Sequence, residues 1–131
     1  MIHRRLQIAG MDVNIFIDDG GWVDFQPIAD CLNDMGATED IIWQGYDLYE
    51  RRVRNEAFTY TKRDKACIYI GRADSGKEFL NSVVHEIRHL VDYIAEYYGI
   101  KDTEKTSEIS GGAALKLAED ICRLGCERCN K

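Results

Sequence analysis

In the segment 12–18, DVNIFID, Val13, Ile15 and Ile17 alternate with polar neighbours, the period-two pattern of a half-buried strand. The preceding RRLQIA has the same character, and a turn near Gly10-Met11 joins the two, so residues 4–18 predict a hairpin. Asp19-Gly20-Gly21 ends it. Pro27 opens a short helix, PIADCLNDMG, that Gly36 closes. Thr38 then reads as an N-cap with Glu39 and Asp40 in the first turn, and Ile41, Ile42, Tyr46, Tyr49 and Val53 continue at helical spacing despite Gly45. Two strands follow, AFTYT and ACIYIG, joined by the polar turn KRDK.

The strongest helical pattern comes next. Ser75 and Glu78 form a capping-box pair, and Phe79, Leu80, Val83, Val84, Ile87, Leu90, Val91 and Ile94 make a wide apolar face that stops at Gly99. A polar loop, IKDTEK, leads to a last helix that starts near Thr106 or Ser107 and runs to Gly125. Strands in pairs and helices in succession predict an α+β fold: a small mixed or antiparallel sheet packed against the helix over 75–98 and a C-terminal helix.

At 131 residues the chain predicts a single domain with enough length to bury a core without metal or disulfide support. The net charge of −6 argues against nucleic acid and anionic membrane as partners. No run reaches transmembrane length, and acidic residues from Asp12 onward break up any N-terminal apolar core, so a cytoplasmic location is expected. Five cysteines are an odd number, and reduced thiols suit that location. Cys122, Cys126 and Cys129 cluster in the tail, where a structural zinc would lack a fourth ligand unless Cys31, Cys67 or His3 came near.

Candidate chemistry concentrates in VHEIRHL, residues 84–90, which holds two of the chain's three histidines. At about 100° per residue, His85 and His89 lie one helical turn apart and roughly opposite Val83, Ile87 and Ile94. A solvated polar stripe would look similar. The His-Glu-x-x-His spacing, however, lets two imidazoles reach one ion with Glu86 beside the first ligand, in an apolar setting that leaves the ion's field unscreened. A catalytic zinc takes three protein ligands and keeps one position open. Eighteen residues separate His89 from Glu108, room for the chain to reverse and return a carboxylate. Glu104 competes for that role, and Asp102 less so. Gly111 and Gly112 fall on about the face of Glu108, which predicts close backbone packing of the last helix on the motif helix. Against this, the glycine pair could simply break the helix, leaving Glu108 one acidic residue among several.

HEIRH, the eighteen-residue spacer and Glu108 resemble the zinc signature of the gluzincin metallopeptidases, and the short chain is most similar to their single-domain minigluzincin members. The resemblance covers about residues 38–122. It implies a zincin-like core over 38–125, with the hairpin and short helix of 1–37 before it and a cysteine tail, 126–131, after it. It also implies zinc held by His85, His89 and Glu108, and Glu86 as general base. The substrate it implies is a peptide or protein, laid along a sheet edge formed by strand 57–61 or 66–70. Two departures stand out. No histidine follows His89, and Tyr93, Tyr97 and Tyr98 read better as packing aromatics than as an oxyanion group. The acidic residue that such relatives carry a turn beyond the glutamate ligand would fall near Gly112; Asp92 is the alternative for orienting a histidine, or a plain solvated residue. A catalytically silent zinc-binding regulatory or interaction module is therefore the competing expectation, and a small DNA-binding or antitoxin-like protein is disfavoured by the acidic charge.

Overall fold

The computed structural model describes residues 1–21, 24–51 and 54–129, with side chains as far as Leu124. It is an α+β fold with a four-stranded mixed sheet and, among the described residues, five helices. No described helix is long and apolar enough to cross a membrane.

Strands β1 (Ile2–Ile8) and β2 (Met11–Ile17) form the expected hairpin. Its two-residue loop, Ala9-Gly10, has φ of 50° and 86°. Positive φ at both loop positions matches the twist of the flanking strands, as in type I′ hairpin turns. Helix α1 spans Gln26–Asp34, with Pro27 in its first turn, and α2 spans Glu39–Arg51. Gly45 of α2 sits where an added Cβ would meet Phe58 at 3.3 Å, so this glycine allows α2 to approach the sheet closely. Val53, expected to extend the apolar stripe of α2, lies outside the described residues. Strands β3 (Ala57–Lys62) and β4 (Lys65–Ile70) form the second hairpin.

The two hairpins join through a parallel pairing of β2 with β4, giving the order β1-β2-β4-β3. The N-terminal hairpin is thus part of the same sheet as the second, with β2 an interior strand. Alternation along β2 and β4 divides their side chains between two cores. Val13, Ile15, Ile17, Ala66, Ile68 and Ile70 face the C-terminal helices, while Phe16, Cys67 and Tyr69 face α1 and α2 with Phe25, Ile28 and Leu32.

Helix α3 (Gly76–Tyr98) is capped as expected: Ser75 Oγ accepts from the Glu78 amide at 3.2 Å, and Gly99 ends the helix with φ of 67°. It buries Phe79, Val83, Ile87, Leu90, Val91 and Ile94 on the sheet. Burial of each such side chain contributes roughly 1.5–3 kcal/mol, which makes α3 the best-anchored helix of its layer.

The C-terminal helix departs from expectation twice. It begins at Thr103, because the Asp102 carboxylate caps it by accepting from the Glu104 amide at 2.9 Å. Thr106 and Ser107 lie inside it and donate their hydroxyls back to the Thr103 carbonyl. It also divides at Leu117 into α4 (Thr103–Lys116) and α5 (Ala118–Cys129). Leu117 is buried in the core cluster, with φ of −104° and ψ of 6°. Cys126 and Cys129 fall in α5, but their side chains lie outside those described; Cys122 is exposed and reduced.

Candidate metal centre

The anchoring of α3 determines how its motif is presented. His85 and His89 lie on the exposed flank of the helix, and Glu86 lies on the buried one, 3 % exposed, facing the sheet. The imidazoles converge: His85 Nε2 and His89 Nε2 are 3.0 Å apart, with ring planes at 82°. One ring therefore donates an Nε2–H to the other. Ligand atoms of His85, Glu86 and His89 all lie within 4.8 Å of one another, the one such group of three or more metal-binding side chains among the described residues.

Glu86 is held by a residue that the motif does not include. Thr59, in β3, donates its hydroxyl to Glu86 Oε2 at 2.5 Å. This bond meets part of the hydrogen-bonding need of a buried carboxylate and leaves Oε1 for other partners. The signal for Thr59 was present in AFTYT: Ala57, Thr59 and Thr61 share one strand face, and hydroxyls on an inward face need partners. A groove of about 320 Å³ runs between this strand and α3, lined by Ala57, Phe58, Thr59, Thr61, His85, Glu86 and His89. β3 is the outer strand of the sheet and β4 is interior, so of the two strands considered only β3 offers an edge to the groove.

Glu108 is not brought to this group. It lines a separate cavity of about 540 Å³ with Ala9, Tyr98, Ile100, Lys105 and Ile109. Tyr98 is nine residues past His89, so that cavity begins about 13 Å further along the α3 axis. The reason lies in how α4 packs. Ala113 is its one buried residue, so α4 docks by its C-terminal half and its first turns lie beside the end of α3. The expected close packing at Gly111 and Gly112 is not found either: an added Cβ at each meets nothing within 4 Å.

The remaining candidates have structural partners. Asp92 pairs with Arg88 at 3.2 Å on the exposed surface and does not orient a histidine. The Tyr93 hydroxyl donates to the Arg63 carbonyl at 2.9 Å, pinning the β3–β4 turn, and its ring stacks on Tyr97. Burial pushes the Tyr93 phenol above its ordinary pKa, with Tyr97 adding to the effect.

The donor set fits a zinc-like ion at two positions. Two nitrogens bound to one tetrahedral zinc at about 2.0–2.1 Å stand about 3.3 Å apart, close to the separation of the imidazoles. No third protein ligand joins them among the described residues, apart from the adjacent Glu86.

No family model, no curated protein and no solved structure matches this chain.

Proposed function

We propose that the chain is a zinc-dependent peptidase of zincin-like architecture, with His85 and His89 as metal ligands and Glu86 as general base. The observation that carries this reading is the convergence of the two Nε2 atoms beside a buried glutamate, in a groove open to an edge strand. Bound zinc supplies Lewis acidity, polarising a carbonyl and lowering the pKa of a bound water. The chain's residues do the rest. Thr59 fixes Glu86 Oε2, so Oε1 is aimed by a rigid strand and not by a flexible side chain. Glu86 Oε1 takes a proton from the attacking water and returns it to the leaving amine. The outer backbone of β3 receives the substrate as an added extended strand, which brings a peptide carbonyl past the histidine pair.

The experiment is cleavage of a broad peptide library by zinc-loaded protein, read by mass spectrometry, for wild type and Glu86→Gln. Glutamine keeps the size of the side chain and an acceptor for Thr59, so zinc stays at about one equivalent while turnover falls by about 100-fold or more. Zinc binding without Glu86-dependent cleavage supports the second reading, a catalytically silent zinc-binding module. That reading draws its support from the remoteness of Glu108 and from the engagement of the Tyr93 hydroxyl elsewhere.

A further inference from the structure

The sheet face turned away from the histidines carries a pair of thiols. Cys31, in α1, is half-buried, and Cys67, in interior strand β4, is fully buried; both are reduced. Helix α1 packs on β4, and Cys31 packs against the buried cluster that contains Cys67. Cys31 also lines a cavity of about 260 Å³ together with His3, Arg5, Asp12, Asp34 and Lys65. One thiol is therefore open to small solutes, and its partner is buried away from the cavity.

Access divides the roles, and the charges lean the same way. The Cys31 thiol is held below its ordinary pKa, first by the hydrogen bond from Cys67 and further by Arg5, against the opposing effects of burial, Asp34 and Asp12. Donation to Cys31 and burial push the Cys67 thiol up. Cys31 faces the cavity and Cys67 is buried, the division of access needed for an attacking and a resolving sulfur. Cys122, the remaining cysteine with a described side chain, is exposed on α5.

We propose that Cys31 and Cys67 form a reversible oxidation site, in which a small peroxide oxidises Cys31 and Cys67 closes a disulfide that ties α1 to β4. The Cys31 thiolate attacks one oxygen of hydrogen peroxide, the O–O bond breaks, and hydroxide leaves to be protonated to water. The resulting sulfenic acid is attacked by the Cys67 sulfur. The S–S bond forms, the S–O bond breaks, and the hydroxyl departs with the Cys67 proton as a second water. The two sulfurs together lose two electrons and the peroxide gains two. A dithiol reductant reverses the change by thiol–disulfide exchange. Cys31 already packs against the cluster that holds Cys67, so closure ties together two elements that are neighbours in the reduced chain. In the β3–β4 register Cys67 pairs with Tyr60 and the next residue, Ile68, pairs with Thr59, so the bond forms on the opposite face of β4, the strand paired with the one that holds Glu86.

The test uses the full chain. It is treated with about two equivalents of hydrogen peroxide, its remaining thiols are alkylated under denaturing conditions, and its peptides are mapped without reduction. The expected product is a peptide pair joined through Cys31 and Cys67, about 2 Da lighter than the free pair and released by dithiothreitol. Closing this loop raises the Tm of the oxidised chain by about 5–10 °C. In Cys67→Ala the reaction stops at Cys31 sulfenic acid, which a 1,3-dione reagent captures. Recovery of both cysteines in alkylated form after peroxide, or oxidation of Cys122 with Cys31 intact, overturns the proposal. The wild-type peptide map separates these outcomes whether or not the Cys67→Ala chain folds.

Discussion

Helices α3 and α4 were each expected to deliver ligands to one metal, and they are built very differently. α3 carries a side-chain cap, a glycine stop and a continuous apolar face, and nine of its residues are buried. α4 is capped by Asp102, buries Ala113 alone, and has Leu115 76 % exposed. The histidines ride on the helix whose rotation is fixed by the core. Glu108 rides on one whose own residues say little about which way it faces. A motif within one well-anchored helix is a local statement about geometry, whereas a motif spanning two helices also depends on how the second docks.

The largest expected contrast is in stability. Leu90→Ala, in the core under α3, destabilises the fold by about 2–5 kcal/mol, whereas Leu115→Ala on α4 changes it by less than about 0.5 kcal/mol. Urea unfolding of both variants measures the difference, and similar losses would break the comparison. In zinc titration, His89→Ala weakens binding on the order of 100-fold, and Glu108→Ala by less than about twofold. A large loss in Glu108→Ala would mean that α4 shifts toward the histidines when metal binds.

A third contrast concerns charge. The Arg4 guanidinium of β1 forms two hydrogen bonds with the buried Asp120 carboxylate of α5, at 2.8 and 2.9 Å. Hydrogen bonding to Arg4, assisted by its charge, holds the Asp120 carboxyl below its ordinary pKa against the effect of burial. A carboxyl depressed in the folded state adds stability that is complete above the unfolded value of about 3.9 and is lost as pH falls through the folded value. Asp120→Asn removes about 1–2 kcal/mol at neutral pH and flattens the stability profile below about pH 4. Stability curves from pH 2 to 7 check both. The smallest effect has the opposite sign. Gly111→Ala and Gly112→Ala each stabilise by about 0.5–1 kcal/mol, because a Cβ meets open space and alanine favours the helix. Destabilisation by either would restore the idea of close packing there.

Where a signal was local it could be read from residues alone. Alternation at Val13, Ile15 and Ile17, the cap at Ser75 and the stop at Gly99 all matched the observed elements. The break at Leu117 was not legible, because continuous helical spacing through ISGGAALKLAEDICRL hides a residue whose burial decides the chain's path. The choice of Asp102 over Thr106 as cap turned on which side chain met a free amide, since Thr106 spends its hydroxyl on a carbonyl. The alternation in AFTYT could have marked Thr59 as inward-facing, but its partner Glu86 could be found only once β3 was set against α3. The parallel pairing of β2 with β4 joins segments about fifty residues apart, a distance over which neither alternation nor turn chemistry carries information.

That pairing also orders the events of folding. Each hairpin closes through contacts only a few residues apart in sequence, on the scale of microseconds. The seam between them must wait for a long loop containing α1 and α2 to be closed, which is the slow, entropically costly step for a chain of this topology. Thr59 and Glu86 meet across strand and helix, and α3 finds its apolar seat on β2 and β4 only after the seam has formed. The histidine pair can therefore be assembled within its helix early, but the groove that gives it a chemical environment is among the last features to mature.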